Sequence, residues 1–278
     1  MKENKIPKVI HYCWFGRGEK SDIIKKCIDS WKKYAPDYKI IEWNEDNFDV
    51  NFCKRSEQAY NQKKWAFVAD VARLKILYDY GGIYLDTDVE LLRPLDDFFA
   101  NNIEGMDSFF CFLNERFIGT GLGFGSVSQS ACVKYLLDNY LNMEFDFTNG
   151  LFNRVCTQIE TEALEDYYDK FERNDYTQNF GTEVIFLSTS SWSSYLVHYG
   201  TGTWVEGGRD NTLKLKRDNK LGYKIRHVIR NPKIFKFIRQ KFGYKSTYIY
   251  EFITYDLFDM GFLYFFKRQL KKMRRRLK

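Results

Sequence analysis

At 278 residues the chain is long enough to bury a large core, and its length suits one domain or one domain with an appendage. Aromatic residues make up 18% of it, and the formal charge of +6 is modest and gathers near the C-terminus. No run is long and apolar enough to span a bilayer, the polar start Met1 to Lys8 carries no secretory signal, and the six cysteines form no C-x-x-C pair, which argues against zinc and for reduced, mostly buried thiols in a cytosolic protein.

Ile6 to Gly16 is an apolar run closed by glycine and predicts a first buried strand. Ser21 or Asp22 then caps a helix through Trp31, Pro36 ends that pattern, and Lys39 to Trp43 reads as a second strand. This β-α-β opening predicts an open α/β sheet, in which ligands bind beyond the C-terminal ends of the strands. Trp14, at the end of the first strand, is therefore either near the site or a core aromatic. His11 lies inside the strand and reads as a satisfied structural residue. A polar stretch with a helix about Arg55 to Lys63 leads to the most informative segment.

Ala66 to Tyr80 has apolar residues at helical spacing (Phe67, Val71, Leu74, Leu77, Tyr78), and Gly81 and Gly82 stop it. Asp70 and Arg73 are three apart and share a face of that helix. In the strand expected next, Ile83, Leu85, Thr87 and Val89 point one way and Tyr84, Asp86 and Asp88 the other. Two carboxylates on one face repel each other and gain nothing from a core, so a cation belongs beside them. Mg²⁺ or Mn²⁺, with its preference for hard oxygen ligands and for sharing them with phosphates, is the simplest choice.

Beyond Asp88, Glu90 to Pro94 leaves the strand and Asp96 to Phe99 makes a short helical turn; Phe109 to Leu113 is another strand. Phe117 to Ser126 is glycine-rich but lacks the Lys-Ser/Thr of a phosphate loop, and reads as a loop and strand passing close to other backbone or to a sugar. Ala131 to Leu141 is a helix, Leu151 to Glu165 is expected to be helical and to shape an acceptor pocket, and Glu183 to Leu187 begins a late strand.

The pattern D-x-x-R-x-x-x-L-Y-x-x-G-G-I-Y-L-D-x-D resembles the signature of sugar transferases that carry a DXD motif. That group includes fungal α-1,6-mannosyltransferases, bacterial capsule and lipopolysaccharide sugar transferases and, more distantly, the glucosyltransferase domains of large clostridial toxins. The likeness runs from Ile6 to about Pro94, with a second patch at Val197 to Trp204, where His198, Thr203 and Trp204 resemble the family's H-x-x-x-x-[ST]-W ending. The resemblance implies a GT-A-type nucleotide-sugar-binding fold with an open, mostly parallel sheet over residues 1–233. It implies a nucleotide-diphosphate sugar donor, with UDP or GDP, bound by Trp14, Asp70, Arg73, Tyr84, Asp86, Thr203 and Trp204, with Trp14 against the base. Asp86, Asp88 and His198 would hold Mn²⁺ or Mg²⁺. Asp70 and Arg73 would hold the sugar hydroxyls, and a sugar would pass with retention to a glycan or lipid-linked glycan. No nucleophile or general base is evident.

Residues 234–278 form a basic, aromatic appendage. Leu263, Phe266, Leu270, Met273 and Leu277 share one helical face, and eight bases without an acid cover the rest. That is the composition of an interfacial helix on an anionic leaflet, placing the chain at the inner face of the plasma membrane; no nucleic-acid motif accompanies the basic residues. Two rivals remain: a haloacid-dehalogenase-type phosphohydrolase with Asp86 as nucleophile, and a non-catalytic carbohydrate-binding protein on a transferase fold.

Overall fold

The computed structural model describes residues 4–141, 143 and 155–201. In chain order the elements are β1 (Val9–Cys13), α1 (Asp22–Tyr34), β2 (Lys39–Trp43), α2 (Lys54–Asn61), α3 (Trp65–Tyr80), β3 (Gly82–Tyr84), β4 (Val89–Leu91), α4 (Leu95–Asn102), β5 (Ser108–Cys111), β6 (Phe124–Ser126), α5 (Ala131–Leu141), α6 (Cys156–Tyr167), β7 (Gln178–Phe180), β8 (Val184–Leu187), α7 (Thr189–Trp192) and β9 (Leu196–His198).

Seven strands form one open sheet in the order β2-β1-β3-β6-β5-β8-β7, and β4 pairs with β9 in a separate two-stranded sheet. In the large sheet β2, β1, β3, β5 and β8 run one way and β6 and β7 run against them, so the sheet is mostly parallel, in keeping with a GT-A architecture. Both of its faces are covered, and adjacent residues divide between them as strand alternation requires. Tyr84, Phe110 and Phe186 enter a core shared with α3, α5 and α6, while their neighbours Ile83, Phe109 and Ile185 enter one shared with α1 and α4. Across the first face, Phe110 stacks on Phe124 and on Phe186, with ring centroids 5.4 and 5.7 Å apart.

Two helices position the site. In α1 the buried Ile24, Cys27 and Trp31 recur at helical spacing. Ser21 occupies the N-cap position as expected, but its hydroxyl makes no capping hydrogen bond. Helix α1 is tied to β4: Trp31 Nε1 donates to the Val89 carbonyl at 2.7 Å, and the Leu91 amide donates to Ser30 Oγ at 2.9 Å. Helix α3 is buried on nearly every side between Phe67 and Leu77, because the sheet lies on one flank and α2 and α5 on others. Gly81 ends it in the left-handed region (φ 65°), its amide returning to Leu77 O at 2.9 Å.

The expected strand through Val89 is not continuous. It ends at Tyr84, Thr87 and Asp88 form a turn, and Val89 starts a strand of the other sheet. Val89 N bonds back to Asp86 O at 3.0 Å, closing that turn. Asp86 and Asp88 therefore converge through a turn rather than through strand alternation. The boundary expected at residue 233 and the basic segment 234–278 lie outside the described residues, which fall almost wholly within one compact unit, Met1–Gly200. Among the described residues no helix is long and apolar enough to cross a membrane, and all six cysteines are free.

Candidate metal and sugar-donor site

The strands fix where the acids stand. Parallel pairing sets Tyr84 beside His11, and the Leu85 amide donates to His11 O at 3.1 Å. The segments after β1 and β3, carrying Trp14 and Asp86, thus leave the same edge of neighbouring parallel strands, where open α/β sheets receive ligands. On the far side of the turn, β4 pairs antiparallel with β9 in a register that sets Val89 opposite His198. The residue that follows Asp88 is therefore the one facing the histidine. Tyr199 N completes the junction by donating to Asp88 O at 3.0 Å.

As a result Asp86, Asp88 and His198 offer ligand atoms that all lie within 4.8 Å of one another. His198 Nε2 is 3.1 Å from Asp88 Oδ1. Burial opposes a charged imidazole there, but the hydrogen bond to Asp88 and the charges of Asp88 and Asp86 outweigh it, so the His198 pKa is raised. Two carboxylates and a borderline nitrogen form a donor set suited to Mn²⁺ or Mg²⁺, and the residues fit such an ion.

Behind Asp86 stands a buried ion network. Arg73 Nη2 is 3.0 Å from Asp70 Oδ1 and 3.2 Å from Asp86 Oδ1, while Nη1 donates to Thr120 Oγ1 at 3.0 Å. Thr120 in turn donates to Glu160 Oε2 at 2.8 Å, and Tyr140 OH to Glu160 Oε1 at 3.2 Å. Burial raises the Asp70 pKa against the pull of Arg73, and pushes that of Glu160 up to about 8. The Arg73 guanidinium also lies over the Tyr84 ring, 4.9 Å from its centroid.

Asp70, Arg73, Asp86, Asp88 and His198 are thus gathered in one region. Tyr84 is 1% exposed and reaches the region as the ring beneath Arg73. Trp14 is half-buried; its Nε1 donates to Gly18 O at 2.7 Å, and Lys20 lies over its ring. Around it a cleft is lined by Arg17, Gly18, Lys20, Glu42 and Asn44. Thr203 and Trp204 lie outside the described residues. His11 proves structural: Nε2 bonds to Gly81 O and Nδ1 accepts from Trp43 Nε1, each at 3.0 Å.

Three participants escaped the sequence reading: Thr120, Tyr140 and Glu160. Glu160 had left a trace, since it interrupts the apolar face made by Ile159, Ala163 and Leu164, where a carboxylate needs partners. Gly121 was legible only as a point of close approach. Its carbonyl accepts the Asp86 amide at 2.9 Å, and a Cβ on it would collide with the Asp86 carboxylate.

Two carboxylates and an imidazole beyond the strand ends of a mostly parallel α/β sheet define a candidate metal centre of the kind that serves phosphate-bearing ligands. Residues 21–109 match the family described as glycosyltransferase sugar-binding region containing DXD motif. It is 33% identical over 102 residues to inositol phosphoceramide mannosyltransferase 3 of Schizosaccharomyces pombe, covering 33% of this chain and 26% of that one. The corresponding values for mannosyltransferase 1 of the same yeast are 30%, 33% and 31%, so the chain spans about a third or less of these relatives. An uncharacterized glycosyltransferase of Acanthamoeba polyphaga mimivirus is 27% identical over 61% of this chain and 69% of its own length. Among solved structures, the PaToxG glycosyltransferase aligns over 59% of this chain and 70% of its own, with 20% identity and a TM-score of 0.45.

Proposed function

We propose that the chain is a metal-dependent glycosyltransferase that moves a sugar from a UDP- or GDP-sugar to a glycan or lipid-linked glycan, with retention, in the assembly of a bacterial surface polysaccharide such as capsule or lipopolysaccharide. The observation that carries this reading is the convergence of Asp86, Asp88 and His198 within 4.8 Å in a chain whose residues 21–109 match the DXD family. Breaking the bond to a nucleotide diphosphate leaves an anion, and most of the barrier lies in stabilising it. A Mn²⁺ or Mg²⁺ held by these three residues would supply Lewis-acid stabilisation of that leaving group.

The remaining parts are the protein's own. Arg73 keeps a permanent positive charge against Asp86 and Asp70, so both carboxylates stay oriented in a region where water would otherwise compete. Asp70 and Arg73, in the buried network behind Asp86, are assigned to the sugar hydroxyls, with Tyr84 supporting the guanidinium from below. Trp14 is assigned to the nucleobase, its ring forming one wall of the cleft that Lys20 and Asn44 also line. Thr203 and Trp204 are assigned to the diphosphate, and the segment 234–278 to an anionic membrane surface at the inner face of the plasma membrane. That last assignment is tested by flotation with anionic vesicles; equal recovery of a chain ending near Tyr255 removes it.

The decisive experiment is a thermal-shift panel of UDP- and GDP-sugars with and without Mn²⁺, followed by hydrolysis assays on any that bind. One donor class should raise Tm only with the metal, since specific binding stabilises the fold. Slow metal-dependent hydrolysis would then exclude a non-catalytic binding protein. If no nucleotide sugar raises Tm with Mn²⁺, the proposal fails; a phosphoaspartate at Asp86 after incubation with a phosphoester would favour the phosphohydrolase instead.

A further inference from the structure

The Arg73 guanidinium faces a choice that the two acids alone do not settle. Its Nη2 is shared between Asp70 Oδ1 at 3.0 Å and Asp86 Oδ1 at 3.2 Å, and its Nε has no hydrogen-bond partner among the described residues. Asp70 sits on the same helix, one turn away, so a guanidinium free to rotate would close on Asp70 and leave Asp86 to water. What prevents the rotation is the third contact, Nη1 to Thr120 Oγ1 at 3.0 Å. A planar fork held at both ends has one orientation.

Thr120 itself is held. Its hydroxyl has one proton, which goes to Glu160 Oε2 at 2.8 Å, leaving its oxygen to accept from Arg73. Thr120 and Glu160 are both fully buried. Tyr140 OH occupies the second oxygen of Glu160 at 3.2 Å, so the chain of hydrogen bonds runs from α5 and α6 to the D-x-D turn. A buried carboxylate is poor value as a source of stability, because an apolar side chain of similar size does as well or better. Buried hydrogen-bond networks do, however, favour one geometry where their contacts are made, as they are here at Arg73 Nη1, Thr120 and Glu160. The next residue closes the arrangement: Gly121 accepts the Asp86 amide and, lacking a Cβ, leaves room for the Asp86 carboxylate.

We propose that Thr120 and Gly121, braced by Glu160, form the seat that turns the Asp86 carboxylate toward the cation site, with Thr120 acting as a positioning residue through Arg73. This rests on the metal reading given above. Groups outside the ligand set that orient a metal's ligands commonly matter 10- to 100-fold in affinity.

The test is Mn²⁺ binding to the full chain, measured from the EPR signal of free Mn²⁺, for wild type, Thr120→Val and Thr120→Ser, with Tm recorded for each. Valine keeps the shape and deletes the hydroxyl; serine keeps the hydroxyl. The expected result is an affinity loss of about tenfold or more in Thr120→Val, with most of it restored in Thr120→Ser. Should Thr120→Val fail to fold, Thr120→Ala serves in its place with the same expected loss. Wild-type affinity in the hydroxyl-free variant, or an equal loss in the serine variant, overturns the proposal. A wild-type protein that binds no Mn²⁺ is a distinct failure, because it removes the metal site together with this inference.

Discussion

His198 Nε2 lies 3.1 Å from Asp88 Oδ1 because the β4–β9 register places the histidine opposite the residue next to that aspartate. The partner makes the imidazole more basic than its burial alone would. In metal-free protein, Asp88→Asn should therefore lower the His198 pKa, since desolvation is then opposed without the charge of Asp88. The wild-type pKa is raised, so its contribution to stability is complete below pH 6.5 and fades as pH rises through the folded value. Imidazole NMR titrations of the two proteins check both statements, and an unchanged His198 titration in the variant would refute the pairing.

His11 makes the opposite prediction. Burial lowers its pKa to about 4, although the Gly81 carbonyl partly opposes the shift. The unfolded chain takes up a proton near pH 6.5 that the folded chain refuses, so stability must fall as pH drops from 6.5 to about 4. The gap corresponds to about 3 kcal/mol across that window. Urea unfolding between pH 7 and 4.5 should show wild type losing this margin relative to His11→Gln. Parallel profiles for the two proteins would show that His11 does not titrate on unfolding.

What the sequence disclosed, and what it withheld, follows from where each signal resides. Helix α3, its glycine stop and the pair Asp70–Arg73 were legible because spacing within one helix determines who shares a face. Strand β2 was read with its observed bounds, Lys39–Trp43, from β-branched and aromatic residues between breakers. The D-x-D turn was misread as strand because Ile83 to Val89 alternates well enough to mimic one; a break between two sheets leaves no mark in alternation. Thr120 and Glu160 meet Arg73 from 47 and 87 positions away along the chain, which no local pattern encodes. The β9 register that delivers His198 is likewise a tertiary fact, and only the H-Y-G-T-G-T-W resemblance pointed to it.

Ser30 offers a test of how the D-x-D turn is anchored. Its hydroxyl donates to Cys27 O at 2.6 Å and accepts the Leu91 amide at 2.9 Å, in a buried position. Ser30→Ala leaves that amide without its partner, which costs about 1–3 kcal/mol. Chemical denaturation should register a loss of that size. Because Leu91 lies three residues beyond Asp88, Mn²⁺ affinity should also fall, by less than in direct ligand variants. A variant as stable as wild type would show that water replaces the hydroxyl at no cost.

Gly121→Ala separates folding from function most sharply. The added methyl would fall 2.7 Å from the Asp86 carboxyl carbon and 3.2 Å from Arg73 Nη1, both atoms of side chains rather than backbone. Asp86 is 29% exposed at its side chain and has space to swing outward, so the fold should survive with a small change in Tm. The displaced carboxylate would leave both Arg73 and the space beside Asp88, and a ligand moved by an ångström or more no longer serves the same ion. Mn²⁺ affinity and metal-dependent turnover of a nucleotide sugar should therefore drop by about 100-fold, as for a ligand variant, while Tm stays within a few degrees. A variant that keeps both affinity and turnover would mean that the Asp86 carboxylate is not required in the place where the structure holds it.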